Sequence, residues 1–128
     1  MKNIHVSAAI IMKDNKIFVT QRGYGEFKDW WEFPCGKIEE GETPEECLKR
    51  EIKEELKADI NIDKYLCTVE YDYPNFHLKM ECFICSLIDG HLELVEAEDA
   101  KFITKDQLDN IDFLPADLLA VKELKKSI

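Results

Sequence analysis

The order of patterns along the chain, strands around a central helix, predicts an α+β fold or an α/β/α sandwich. Three observations carry this expectation. Apolar, β-branched runs open the chain and recur in its middle, one well-capped amphipathic stretch separates them, and a second helical pattern closes the chain. At 128 residues the chain fits one domain spanning 1–128. Its 45% hydrophobic and 34% charged residues suffice for a single core and do not describe a disordered chain.

Ile4 to Met12, rich in Ile, Val and Ala, reads as a strand. Asp14-Asn15 is a turn signal, and Ile17 to Gln21 returns as a second strand. Arg22 to Asp29, with Gly23 and Gly25, reads as a loop. Trp30 to Phe33 is expected as a short strand that stops at Pro34. Pro44 to about Lys57 is the main helix: Thr43 is a good N-cap, Pro44 suits the first helical position and Glu46 completes a capping box. Leu48, Ile52 and Leu56 recur every fourth residue and form its buried stripe. Beyond it, the pattern favours strands from Ile60 to Leu87, read as Tyr65 to Tyr73 and His77 to Leu87 joined at Pro74-Asn75. Asp89-Gly90 is a turn, and Leu92-Glu93-Leu94 and Lys101-Phe102-Ile103 are candidate short strands. Thr104 caps a short helix through Leu108, and Pro115 to Lys126 is the final helix.

Composition excludes several classes of function. A net charge of −10 argues against DNA, RNA or an anionic membrane as partner, because those contacts rest on basic surface. A small anionic ligand remains compatible where a divalent cation neutralises it locally. No run approaches the roughly 18 apolar residues of a membrane span. Lys13-Asp14-Asn15-Lys16 stands where a signal peptide would need its cleavage site, so a cytoplasmic protein is expected. Five scattered cysteines make a poor disulfide framework. Cys82-x-x-Cys85 lacks the second pair that a zinc site wants and reads as buried apolar packing.

Glu51, Glu54 and Glu55 lie three and four apart on the expected helix and so share a face beside the buried stripe. Like charges at that spacing repel by a few tenths of a kcal/mol unless something positive compensates them. A solvated acidic face is the bland explanation. Magnesium, which takes carboxylate, water and phosphate oxygens, is the chemical one.

The wider spacing decides between them. Gly36, Glu42, Arg50, Glu51, Ile52, Glu54 and Glu55 fall on one long pattern that resembles the Nudix box, G-x5-E-x7-R-E-U-x-E-E-x-G-U with U apolar. Ala58 passes weakly at the last position, and Lys57 stands where the family has Gly. A Lys in the left-handed helix-terminal conformation costs about 1 kcal/mol, unless the helix simply runs on. Trp31-Glu32-Phe33-Pro34-Cys35-Gly36-Lys37-Ile38-Glu39 is similar to the W-E-F-P-G-G-K-x-E run of the MutT-type branch, with Cys35 replacing the first Gly. With Thr20-Gln21-Arg22 and Leu114-Pro115-Ala116-Asp117 added, the similarity covers essentially the whole chain.

The resemblance implies a Nudix-type α/β/α sandwich that cleaves a nucleoside triphosphate to monophosphate and pyrophosphate, in nucleotide-pool sanitisation or on CTP. It implies that Glu51, Glu54 and Glu55 ligate Mg2+ or Mn2+, helped by the backbone carbonyl of Cys35. One of these carboxylates, or Glu96, orients the attacking water, with Glu98 the alternative loop acid. Arg50 would hold the glutamates, with Glu42 as its partner. Arg22, which ends the second strand, is expected to contact phosphate or base, with Lys37 a weaker candidate. Phe33, Tyr73 and Phe76 are candidate stacking surfaces and equally candidate core. Asp117 occupies the position that reads the base in relatives. Ionised, it accepts a hydrogen bond and suits the cytosine amine; protonated by burial, it donates and can read an oxidised purine. Its plain alternative is a cap of the last helix. The other class of reading is a Nudix-fold module that binds nucleotide without cleaving it. Hydrolysis of ADP-ribose or dinucleoside polyphosphates is a further enzymatic alternative. A monomer or homodimer is expected.

Overall fold

The computed structural model describes residues 2–23, 25–89, 92–93 and 99–128. Its strands are β1 Lys2–Lys13, β2 Lys16–Gln21, β3 Trp31–Glu32, β4 Cys35–Lys37, β5 Ile60–Tyr73, β6 Phe76–Leu87 and β7 Asp99–Thr104. The helices are α1 Pro44–Leu56 and α2 Pro115–Ser127, with a 3-10 turn at Lys105–Asn110. The strands form one mixed sheet in the order β3-β2-β1-β6-β5, with β4 added on β1 and β7 on β2. β1 and β6 run parallel from Lys2↔Phe76 to Ile11↔Cys85, while the other pairs are antiparallel.

β1 organises the molecule because it is buried on both faces. Its alternating side chains enter two separate cores. Val6, Ala8 and Ile10 pack with Ala116, Ala120 and Leu124 of α2. Ala9 and Ile11 pack with Leu48, Ile52 and Leu56 of α1. The helices therefore cover opposite faces of the sheet, which is the expected α/β/α arrangement. Period-2 alternation also separates Cys82 from Cys85: one enters the α2 core and the other the α1 core. Three residues apart on one strand, they do not converge.

The hairpin at Asp14-Asn15 places both residues at positive φ (52° and 64°), the backbone that tight two-residue turns require. Thr43 and Glu46 form the reciprocal capping box at the start of α1. Buried Ser7 donates from Oγ to the Pro44 carbonyl at 2.7 Å, fastening that helix end to β1. α1 ends at Leu56, and Lys57 adopts the left-handed conformation (φ 53°, ψ 34°) with its N–H on the Lys53 carbonyl.

Three expectations need correction. The strand expected from Trp30 to Phe33 is only Trp31–Glu32, and the chain re-enters the sheet after Pro34 as β4. There Val6, Ser7 and Ala8 of β1 pair with Lys37, Gly36 and Cys35, a non-local partnership that local propensity does not encode. The middle strand begins at Ile60 rather than Tyr65 and carries irregularities at Ile62/Lys64 and Tyr65/Cys67. Leu92 and Glu93 are not extended as a strand; the Glu93 N–H donates to the Leu56 carbonyl at the end of α1. Leu94 and Gly90 lie outside the described residues.

Candidate active site

β4 is the wall that joins two chemical environments. On one side it meets the carboxylate face of α1. A Cβ on Gly36 would fall 2.0 Å from Glu51 Cδ, so only glycine lets that carboxylate lie against the strand. Arg50 ties the same region together. Its Nε and Nη2 donate to Glu42 at 2.6 and 2.8 Å, Nη1 to Glu51 at 2.8 Å and Glu54 at 3.4 Å, and Nη2 to the Lys37 carbonyl at 3.1 Å. These hydrogen bonds hold the Glu42 carboxyl down at about 2 and push Arg50 further above its ordinary value. Glu42 also accepts from the Glu39 N–H at 2.9 Å. One guanidinium thus holds two helix glutamates, Glu51 of them against β4. Glu55 is half-buried and near enough to bear electrostatically on the Cys35 thiol.

These donors suit a hard divalent cation, which binds one or two carboxylates and completes its shell with water and phosphate. Glu51 and Glu54 already converge on a cationic group, the Arg50 Nη1. Among the described residues no three acidic, His or Cys side chains gather closely enough for a complete cage. Glu96 and Glu98, the expected loop acids, lie outside the described residues.

On its other side β4 lines a cavity of about 240 Å³, with Gly36, Lys37 and Cys35 in the wall. Arg22, Glu32 and Asp117 stand at its polar end, and Tyr73, Phe76 and Phe27 form aromatic surface. Tyr73 and Phe76 stack at 4.9 Å between ring centroids, and Phe27 meets Tyr73 edge-on at 5.4 Å. The Tyr73 hydroxyl accepts from the Ala116 N–H at 3.2 Å, which fixes the ring beside the start of α2. Arg22 follows β2 directly and its Nε pairs with Glu32 at 3.0 Å.

Asp117 lies in the first turn of α2 and is only 5% exposed. Its carboxyl takes its own backbone N–H in that turn and also reaches beyond the helix. Its Oδ2 accepts the backbone N–H of Phe33 at 2.9 Å, across 84 positions of sequence. The two segments are held together by Trp31, whose N–H donates to Asp112 and whose carbonyl accepts from Leu114. Burial first, and then the Glu32 charge, pushes the Asp117 carboxyl up to about 8. Burial also raises Glu32, against the pull of Arg22. Cys35 is pushed well above the usual thiol range by the same burial and by nearby carboxylates.

The structure therefore brings Arg22, Lys37, Tyr73, Phe76 and Asp117 to one cavity and sets Glu51 behind the strand that walls it, with Glu54 joined to it through Arg50. Phe33 is a correction. Its ring is fully buried against Phe113 at 5.3 Å and does not line the cavity; what it offers is its backbone N–H to Asp117. Glu32 was not anticipated as a site residue. The available signal was its place on the strand before Pro34, next to inward-facing Phe33 in a pattern whose alternation turns Glu32 the other way.

Glu51 and Glu54 on one arginine, a glycine that admits Glu51, and an adjoining aromatic and carboxylate cavity lie together on an α/β/α sandwich. The NUDIX domain model matches residues 1–125, and the chain belongs to the NUDIX family. It is a Nudix hydrolase. The 8-oxo-dGTP diphosphatase of Escherichia coli (strain K12) is 30% identical over 128 residues, covering 98% of this chain and 99% of that one. The CTP pyrophosphohydrolase of the same organism is 28% identical over 119 residues, covering 92% and 88%. The crystal structure of a MutT NUDIX hydrolase from Burkholderia pseudomallei shares the fold at a TM-score of 0.87, with 24% identity, covering 97% of this chain and 99% of that one.

Proposed function

We propose that this chain is a metal-dependent pyrophosphohydrolase that cleaves a nucleoside triphosphate, CTP-like or oxidised, to the monophosphate and pyrophosphate. The observation that carries the reading is β4 itself. Three residues wall the base-sized cavity while Gly36 among them abuts the Glu51 carboxylate, which shares Arg50 with Glu54. A nucleotide seated in the cavity would lead its phosphates past Gly36 and Lys37 toward α1.

Glu51, Glu54 and Glu55 would hold Mg2+ or Mn2+, with the Cys35 carbonyl and the loop acid Glu96 as further ligands. When bound, the cation neutralises the polyphosphate and lowers the pKa of an attacking water. The chain's own contribution is positioning. Arg50 keeps Glu51 and Glu54 oriented, and Glu42 keeps Arg50 in place through a two-point contact. Arg22 and Lys37 supply the cationic contacts at the cavity. Tyr73 and Phe76 offer ring surface to the base.

Asp117, at about 8, carries its proton at neutral pH. With Oδ2 accepting the Phe33 N–H, the proton would sit on the other oxygen, and Asp117 lines the cavity in which a base would meet it. This favours an oxidised purine that presents a carbonyl or ring nitrogen, while Glu32 beside it supplies an acceptor for an exocyclic amine. Both relatives named above, one for 8-oxo-dGTP and one for CTP, are consistent with such a pocket. The small substrate, the nucleotide-pool role and a cytoplasmic monomer or homodimer belong to the same proposal.

The test is a product-release assay with magnesium over CTP, dCTP, 5-hydroxy-dCTP, 8-oxo-dGTP, ADP-ribose and a diadenosine polyphosphate. Monophosphate and pyrophosphate should form only with the metal and fall on the order of 10²-fold or more in Glu54→Gln. Binding of these nucleotides without turnover would identify a non-catalytic binding module instead. Turnover confined to ADP-ribose or the dinucleotide would replace the substrate class.

A further inference from the structure

Cys67 of β5 stands directly opposite Cys82 of β6 in the antiparallel register. Both belong to the α2 side of the sheet, Cys82 fully buried and Cys67 at the margin of the same core. Cys67 also opens into a groove of about 520 Å³ between β5 and α2, with Lys122, Lys125, Lys126 and Glu123 along its rim. The other three cysteines lie elsewhere: Cys35 in the cavity walled by β4, Cys47 in α1 with its thiol on the Gly36 and Lys37 carbonyls, and Cys85 in the opposite core. Only this pair is aligned for bond formation.

We propose that Cys67 and Cys82 are a redox pair, oxidised by a peroxide to an intramolecular disulfide between β5 and β6. Cross-strand neighbours hold their Cβ atoms about 4.5–5.5 Å apart, and a disulfide needs about 3.5–4.5 Å. The required approach is about 1 Å. The ladder irregularity at Tyr65/Cys67 lies at the place where the strand must yield.

The two thiols differ in a way that orders the reaction. Cys67 lines the groove, whereas Cys82 is fully buried behind it. Cys67, reachable from the groove, therefore attacks first. Its thiolate sulfur takes one oxygen of the peroxide, the O–O bond breaks, and the other oxygen leaves as water after taking a proton. The Cys82 sulfur then displaces the second oxygen from the Cys67 sulfenic acid. That oxygen leaves as water with the Cys82 proton, so two thiols and one hydrogen peroxide give one disulfide and two waters. A dithiol reductant reverses the step.

The experiment treats the folded wild-type protein with hydrogen peroxide, alkylates free thiols during denaturation, and maps the peptides by mass. The expected result is a Cys67–Cys82 linked peptide, lighter by two hydrogens, in most chains and abolished by dithiothreitol. Cys67→Ser should leave Cys82 reduced and alkylated. Cys82→Ala should leave Cys67 as a sulfenic acid that dimedone captures. Recovery of Cys67 and Cys82 as alkylated free thiols in oxidised wild type would overturn the proposal. So would linkage of either residue to another cysteine or another molecule. The wild-type measurement stands even if a variant fails to fold.

Discussion

Asp117 and Glu32 are two carboxyls in one cavity, and their burial has a consequence for pH. Burial holds the Asp117 carboxyl at about 8 in the folded protein, against an ordinary value of 3.8. Between those values the unfolded chain has lost the proton and the folded chain keeps it. The Asp117 contribution therefore weakens stability as pH rises from about 4 to about 8, by up to about 1.4 kcal/mol per pH unit. Asp117→Asn should be increasingly stabilised relative to wild type across that window, as read by urea unfolding at pH 5 and pH 8. The same substitution should alter the ranking of CTP, dCTP and 8-oxo-dGTP in the release assay. An unchanged ranking would remove Asp117 from base reading. The importance of this position could be read from the sequence only through family resemblance. Its protonation could not, because it depends on a partner 84 residues away and on closure by β3 and α2.

At the scale of the element, α1 was legible almost to its last residue. Its capping box, its apolar stripe and its glutamates are all local spacings, and local spacings survive folding because a helix repeats every 3.6 residues. Lys57 was the open point, and the chain resolves it by taking the strained left-handed cap. Lys57→Gly should therefore stabilise the protein by about 1 kcal/mol, seen as a higher unfolding midpoint with an unchanged slope. A Lys57→Gly protein no more stable than wild type would mean that the strain is already relieved by the favourable charge of lysine at the helix end. β4 is the contrasting element. Three residues after a proline carry no propensity signal that marks them as a strand. They are extended because β1 offers them unpaired backbone groups on one edge and α1 presses Glu51 onto Gly36 from the other side.

Across the whole molecule, β1 makes the two cores one cooperative unit. Ile10 and Ile11 are both completely buried, and they face opposite helices. Ile10→Ala and Ile11→Ala should each cost about 2–5 kcal/mol. Each should lower one shared transition, with tryptophan fluorescence and far-ultraviolet circular dichroism coinciding. Separate transitions by the two probes would show that the faces unfold independently.

The sequence by itself determined the fold class, through the order of its patterns, and the capped helix, the hairpins and the glutamate cluster with its arginine, each written in residues close together in the chain. Only the tertiary structure decided which side chains meet in the cavity. It sent Phe33 into the core, recruited Glu32, set Asp117 on the Phe33 amide and aligned Cys67 with Cys82. Those contacts join distant segments, and whether a side chain is buried or exposed, charged or neutral, follows from what the rest of the chain packs around it.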